Sequence, residues 1–280
     1  MSEVDDFRTR DHVPDFDRNV EWFREYSSQT KAALRNRCDL RYGAGEKATL
    51  DLFFPKERQA PAPIHLFIHG GYWRMFDKSD FSFVANTICT AGGIAAIMNY
   101  DLMPGVRMAT IVEQVHQCAS WLVENAESFG GDPARFSVSG HSAGGHLCCF
   151  LFSKDSPVRP KGILALSGIY DLSPLRQSFL QQELRLTDDE VACFSPISMD
   201  SVRSGAMVLM VGEAETLPFH RQAAALRQKL LDEGWDVSYQ SIKGANHMSI
   251  MAQLGSPDTI PGRCLAAMIV PGVGPGLGKK

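Results

Sequence analysis

The stretch RFSVSGHSAGGHLCCFLF, residues 135–152, decides the reading of the fold. Arg135 to Ser139 alternates apolar and polar side chains as a short strand does, and Gly144 to Phe152 has the apolar density of a buried helix. Between them Gly140-His141-Ser142-Ala143-Gly144 fits the pattern G-x-S-x-G. A serine at such a turn sits on strained backbone, needs small neighbours, and holds its hydroxyl at a helix N-terminus above the end of a sheet. The pentapeptide alone is a weak signal in a chain with 24 glycines, and its place between strand and helix gives it weight.

Working outward, strands and helices alternate. Ile64 to Ile68 and Gly93 to Asn99 are apolar strands separated by a helix-length segment from about Ser79 to Ala91. Ile111, Val112, Val115, Cys118, Ala119 and Leu122 recur at helical spacing, which places that helix on a sheet face. Downstream, Gly162 to Ser167, Met207 to Val211 and Val237 to Ile242 read as strands, with a helix over Leu217 to Asp232. Parallel strands need crossover helices, so the alternation predicts one α/β domain over residues 37–265, a doubly wound, mostly parallel sheet with helices on both faces. Cys38 to Tyr42 and Ala48 to Phe54 read as a hairpin at its edge. Residues 1–36 are expected to be an arm packing on this body, 171–203 a small cap or lid insertion, and 266–280, ending in the glycine- and proline-rich PGVGPGLGKK, a flexible tail.

Composition narrows the partners. The 280 residues are 44% apolar and 21% charged, with 28 basic and 32 acidic side chains for a net charge of −4 and no basic stripe. A nucleic-acid partner is therefore not expected. No run approaches the about 18 apolar residues that span a membrane, and MSEVDDFRTRDH lacks the order of a secretory signal. Seven scattered cysteines without a C-x-x-C pair suit neither a disulfide framework nor a zinc site. They read as reduced core thiols of a cytoplasmic protein whose partners are a small-molecule substrate and, at most, a second copy of the chain.

A nucleophilic serine needs a base, an acid and oxyanion donors. Only His220 and His247 follow Ser142, and His247 in Gly244-Ala245-Asn246-His247 lies just past the last strand, where ligands bind in open α/β sheets. The acid should follow the penultimate strand. Gly212-Glu213-Ala214-Glu215-Thr216 offers Glu215 first and Glu213 second, with Asp171 as the fallback. His69-Gly70-Gly71-Tyr72-Trp73, after an upstream strand, is a loop whose Gly71 and Tyr72 amides could meet an oxyanion together with that of Ala143. Tyr72, Trp73 and His141 are candidate pocket residues. His141 and His146 flank the serine without a third metal ligand nearby, and no metal or organic cofactor is expected.

Together H-G-G-Y-W, G-H-S-A-G-G-H-L, S-G-I-Y-D-L, G-E-A-E-T-L-P-F-H-R-Q and K-G-A-N-H resemble the arylformamidases, or kynurenine formamidases, of the α/β-hydrolase superfamily, related to hormone-sensitive-lipase-like esterases. The resemblance spans about residues 40–255 and implies the α/β-hydrolase fold. It also implies a triad of Ser142, Glu215 and His247 and an oxyanion loop at Gly71 and Tyr72. The implied reaction is hydrolysis of N-formyl-L-kynurenine to kynurenine and formate, a step of tryptophan catabolism. The family's acid is commonly aspartate where this chain has Glu215. A carboxylesterase or amidase acting on another small aryl ester, carbamate or N-acyl compound is the nearest alternative, and a catalytically silent binding relative the next.

Overall fold

The computed structural model describes residues 5–57 and 61–270. Its centre is one eight-stranded sheet of β1 (Asn36–Arg41), β2 (Thr49–Phe53), β3 (Ala62–Ile68), β4 (Ile94–Met98), β5 (Gly131–His141), β6 (Gly162–Leu166), β7 (Ala206–Gly212) and β8 (Val237–Ile242). The strand order is β1-β2-β4-β3-β5-β6-β7-β8. The edge hairpin is antiparallel and joins β4 antiparallel, whereas the strands from β4 to β8 in that order run parallel. This is the mostly parallel, doubly wound sheet that the alternation required.

Among the described residues ten helices accompany it: α1 (Thr9–His12), α2 (Phe16–Ala33), α3 (Val84–Thr90), α4 (Met108–Glu124), α5 (Ala143–Cys148), α6 (Gln181–Leu184), α7 (Asp188–Phe194), α8 (Leu217–Asp232), α9 (Ser249–Ala252) and α10 (Ile260–Ile269). Successive strand residues point to opposite faces, so Leu66 and Leu209 pack with α4 and α8, while Phe67 and Met210 pack with α2, α3 and α10. Helices on both sides explain why β3, β4 and β6 are buried along their whole length and read as continuous apolar runs. β1, with one neighbour only, alternates half-buried and exposed.

Three boundaries differ from the sequence reading. β5 begins at Gly131 rather than Arg135, because Gly131 and Asp132 pair with Ala62 and Pro63 before the register shifts. Pairing across the sheet overrides the turn character of Asp132-Pro133. The segment from Ser79 to Ala91 is broken into a tight turn, Lys78–Phe81, capped by Asp77, and then α3. Residues 266–269, expected in a flexible tail, belong to α10, which runs to the buried Ile269; residues 271–280 lie outside the described residues.

The insertion at 171–203 is packed as part of the core. Leu172, Leu175, Leu180, Leu184 and Leu186 are all buried. Arg107 ties it down, donating to the Glu190 carboxylate and to the carbonyls of Leu184 (3.0 Å) and Arg185 (2.9 Å). Among the described residues no cysteine is paired. Cys193 is exposed and Cys38 half-buried, so the thiols are not all core residues as expected. No described helix is long and apolar enough to cross a membrane.

Candidate active site

β5 ends at His141 and α5 begins at Ala143, which leaves Ser142 alone at the turn with φ 56° and ψ −119°. A non-glycine residue held there stores about 1–3 kcal/mol of strain, which the surrounding packing must over-determine. Crowding is what does so. A Cβ on Gly140 would stand 2.2 Å from the Gly144 carbonyl oxygen, and one on Gly144 only 1.9 Å from that of Ile68. Gly144→Ala is accordingly expected to cost about 1–3 kcal/mol or more, a fall of at least several degrees in a melt followed by circular dichroism. A melting temperature equal to that of the wild type would contradict this packing argument.

His247 is held by its own loop. The Asn246 side-chain oxygen accepts from the amides of Met248 (3.0 Å) and Ser249 (2.8 Å), fixing the turn after β8. The imidazole lies 4.4 Å from the Phe219 ring and 4.6 Å from that of His141, centroid to centroid, and is buried. Its Nδ1 is 2.7 Å from Glu215 Oε2. The other oxygen, Glu215 Oε1, accepts from the Gly212 amide (2.7 Å) and the Ser167 hydroxyl (2.5 Å). Three donors converging on a side chain with no exposure are the setting of an ionised, acceptor-only carboxylate.

The other acids go elsewhere. Glu213 accepts from the Gly244 amide at 2.8 Å, and Asp171 accepts from the Ser173 amide at 2.8 Å, so neither is bonded to His247. Ser167 was not singled out in the sequence, although it stands directly after β6. It and the amide of Gly212 form the seat that takes up the extra methylene of glutamate.

The loop after β3 turns sharply. Gly71 has φ +106°, and a Cβ there would meet the Met75 carbonyl at 2.3 Å, so only glycine fits. Tyr72 and Trp73 follow with positive φ. The loop's base is pinned by His69, stacked between Phe81 and Tyr100, with Nδ1 2.8 Å from the Gly70 carbonyl and Nε2 3.2 Å from Asn99 Oδ1. Among the described residues no acceptor is bonded to the amides of Gly71, Tyr72 or Ala143, which leaves three donors free beside the serine.

Gly71, Tyr72, His141, Ser142 and His247 line one cavity of about 30 Å³. No hydrogen bond joins the Ser142 hydroxyl to His247 here; such contacts often tighten only when substrate binds. Of the three candidate pocket residues Tyr72 and His141 line this cavity, and Trp73 does not. Its side chain is fully buried and its indole donates to His146 Nδ1 at 3.2 Å, so it braces the loop from behind. His146 in turn donates from Nε2 to the Phe194 carbonyl at 2.7 Å, and His141 from Nε2 to the His247 carbonyl at 2.8 Å. Burial lowers the pKa of both rings, His146 to about 4 and His141 well below the usual range, His141 being further disfavoured as a cation by His247. These are neutral bracing residues. Thr9, Phe16 and Phe23 of the arm also line the cavity. The sequence reading missed them there, although two phenylalanines seven apart in a charged helix mark a face turned inward.

Such a set can carry out nucleophilic acyl transfer: a strained serine, a histidine oriented by a carboxylate, and free amides across a small cavity. The BD-FAE family model matches residues 50–230 of the chain. The chain is 26% identical to the kynurenine formamidase of Danio rerio over 254 residues, covering 87% of this chain and 85% of that one. A solved protein of Silicibacter sp. tm1040, provisionally described as a thioesterase, superposes with a TM-score of 0.83 at 26% identity, over 96% of this chain and 99% of its own. Esterase B of Lactobacillus rhamnosis shares the fold, with a TM-score of 0.70 at 17% identity over 91% of this chain and 94% of its own.

Proposed function

The chain belongs to the BD-FAE family, and from that premise we propose that it is a serine hydrolase of α/β-hydrolase fold that cleaves N-formyl-L-kynurenine to formate and kynurenine. Ser142 Oγ attacks the formyl carbonyl while His247 Nε2 takes its proton, and the amides of Gly71, Tyr72 and Ala143 receive the oxyanion. His247 then gives the proton to the departing arylamine nitrogen, leaving formyl-Ser142. Water attacks that ester, its proton going to His247, and formate leaves as Ser142 recovers the proton. Glu215 orients the ring and stabilises its cationic form. The one observation that carries the reading is the Glu215–His247 contact of 2.7 Å, with that histidine lining one cavity together with Ser142.

The size of that cavity supports a small acyl group. About 30 Å³ is small beside the about 150 Å³ of a cavity that takes up benzene, which suits a small acyl group better than an aromatic one. The partner is a small molecule, and unpaired cysteines support a cytoplasmic setting. Hydrolysis of N-formyl-L-kynurenine, followed spectroscopically beside p-nitrophenyl acetate, tests the proposal. The formamide is expected to have the higher kcat/KM. Turnover of the ester alone would assign the same residues to a carboxylesterase. Absence of both activities, with no labelling by a fluorophosphonate, would indicate a silent relative.

A further inference from the structure

The cavity at Ser142 is lined in part by a segment of the chain that the chemistry above does not use. Residues 5–13 form a strap tied at three places. The Tyr72 hydroxyl donates to the Phe7 carbonyl at 2.6 Å, the Thr216 hydroxyl to the Asp6 carbonyl at 2.8 Å, and the Phe179 amide to the Asp5 carboxylate at 2.6 Å. The Phe7 ring packs edge-on against Phe219, the ring that lies on His247. Beyond the strap, Phe16 and Phe23 stand seven residues apart on one face of α2 and join Thr9, Met75, Phe76 and Phe81 in the cavity wall. No residue of the 171–203 insertion lines this cavity.

We propose that this amino-terminal arm, through Thr9, Phe16 and Phe23, is the specificity-determining wall of the site and holds the acyl group to one or two carbon atoms. The inference rests on the serine-hydrolase reading and adds to it which residues select the substrate. A carbonyl attacked by Ser142, its oxygen at the Gly71 and Tyr72 amides, brings its substituents to this cavity. A benzene ring fills a cavity of about 150 Å³, so of the two substituents the acyl one suits this cavity of about 30 Å³. The wall is firm. Phe23 is buried in the second core, and Phe16 is buried beneath the Arg10 guanidinium, 4.5 Å from its ring centroid. A pocket that cannot yield discriminates against each surplus methylene by about tenfold or more.

The test is a series of p-nitrophenyl acetate, butyrate and hexanoate, read as ratios of kcat/KM so that general losses cancel. The wild type should prefer acetate to butyrate by at least about tenfold. Phe16→Ala should raise the butyrate-to-acetate ratio by about tenfold, and Thr9→Leu, at a half-buried position where folding is little at risk, should lower it. Arg107→Ala, which frees the Leu184–Glu190 part of the insertion and leaves the Asp5–Phe179 tie of the arm in place, should leave the ratio at the wild-type value. The proposal is overturned if the wild type accepts hexanoate as readily as acetate, if neither arm variant moves the ratio by twofold, or if Arg107→Ala moves it as far. Ester turnover without formamide turnover would defeat the formamidase reading and leave this comparison intact. An enzyme inert to every ester would overturn this proposal, and one inert to N-formyl-L-kynurenine as well would defeat the serine-hydrolase reading with it.

Discussion

Ser142→Ala is expected to lower kcat by about 10⁶-fold, His247→Ala by a similar factor, and the double variant by no more than either alone. The three numbers belong together. In the proposed mechanism serine and histidine act in one proton-coupled step, so removing either removes the step, and what would remain is the residual acceleration from the oxyanion amides and binding. Independent contributions would instead multiply. The variants should fold normally, because Ser142 donates its backbone amide to the Leu166 carbonyl whatever its side chain is, and His247 keeps its turn through Asn246. Kinetics on the three proteins, with circular dichroism as the folding check, decides the matter: a double variant far worse than the singles, or a single one retaining a hundredth of the activity, would remove these residues from the chemistry. In the wild type the acidic limb of kcat/KM should carry one proton. The other buried rings cannot contribute a second, since burial drives the pKa of His65 down to about 3 and of His146 to about 4, and lowers those of His69 and His141 as well.

The frame of the fold is legible in the chain because parallel strands buried on both faces are written as continuous apolar runs, and because crossover helices must separate them. The elbow is legible for the same reason: Gly140 and Gly144 are demanded by contacts of 2.2 and 1.9 Å that any side chain would violate. Pattern fails where a residue's role is set by its neighbour in space. Trp73 follows the oxyanion glycines and reads equally well as a pocket wall or as packing. Its positive φ and the acceptor at His146 Nδ1, 73 residues away, turn it inward. Ser167 is one serine among many until β6 and β7 lie side by side and bring it to Glu215.

The arm shows the same limit from the other side. Its apolar positions announce that it packs on something, but which surface it covers depends on how residues 5–13 are tied to Tyr72, Thr216 and Phe179, contacts that span 65 to 210 residues. The insertion at 171–203 attracted attention because it interrupts the alternation. Its buried leucines and the Arg107 anchor pack it into the core, while the amino-terminal arm, through Thr9, Phe16 and Phe23, lines the cavity.

Glu215→Gln is expected to cost about 10⁴-fold in kcat, nearly as much as deletion of the group, although it removes neither volume nor reach. Glu215 Oε1 is bonded to the Gly212 amide and the Ser167 hydroxyl. A glutamine must keep its carbonyl oxygen at that seat, because its NH₂ would face the Gly212 N–H donor to donor. The NH₂ is then aimed at His247 Nδ1, where it can only donate. That forces the proton of the neutral ring onto Nε2, the atom that must be free to accept from Ser142. Glu215→Asp keeps the charge and the correct tautomer but is one methylene short of spanning from the Gly212 seat to the ring. A misplacement of about 1 Å costs on the order of 10²-fold, so aspartate should be markedly better than glutamine. Steady-state kinetics on both, beside Asp171→Asn and Glu213→Gln, measures the ordering. Equal activity of Glu215→Gln and the wild type, or a larger loss in Asp171→Asn, would reassign the triad acid. The ordering asparagine at 171 and glutamine at 213 mild, aspartate at 215 intermediate and glutamine at 215 severe follows from a carboxylate that works by fixing which nitrogen of His247 carries the proton.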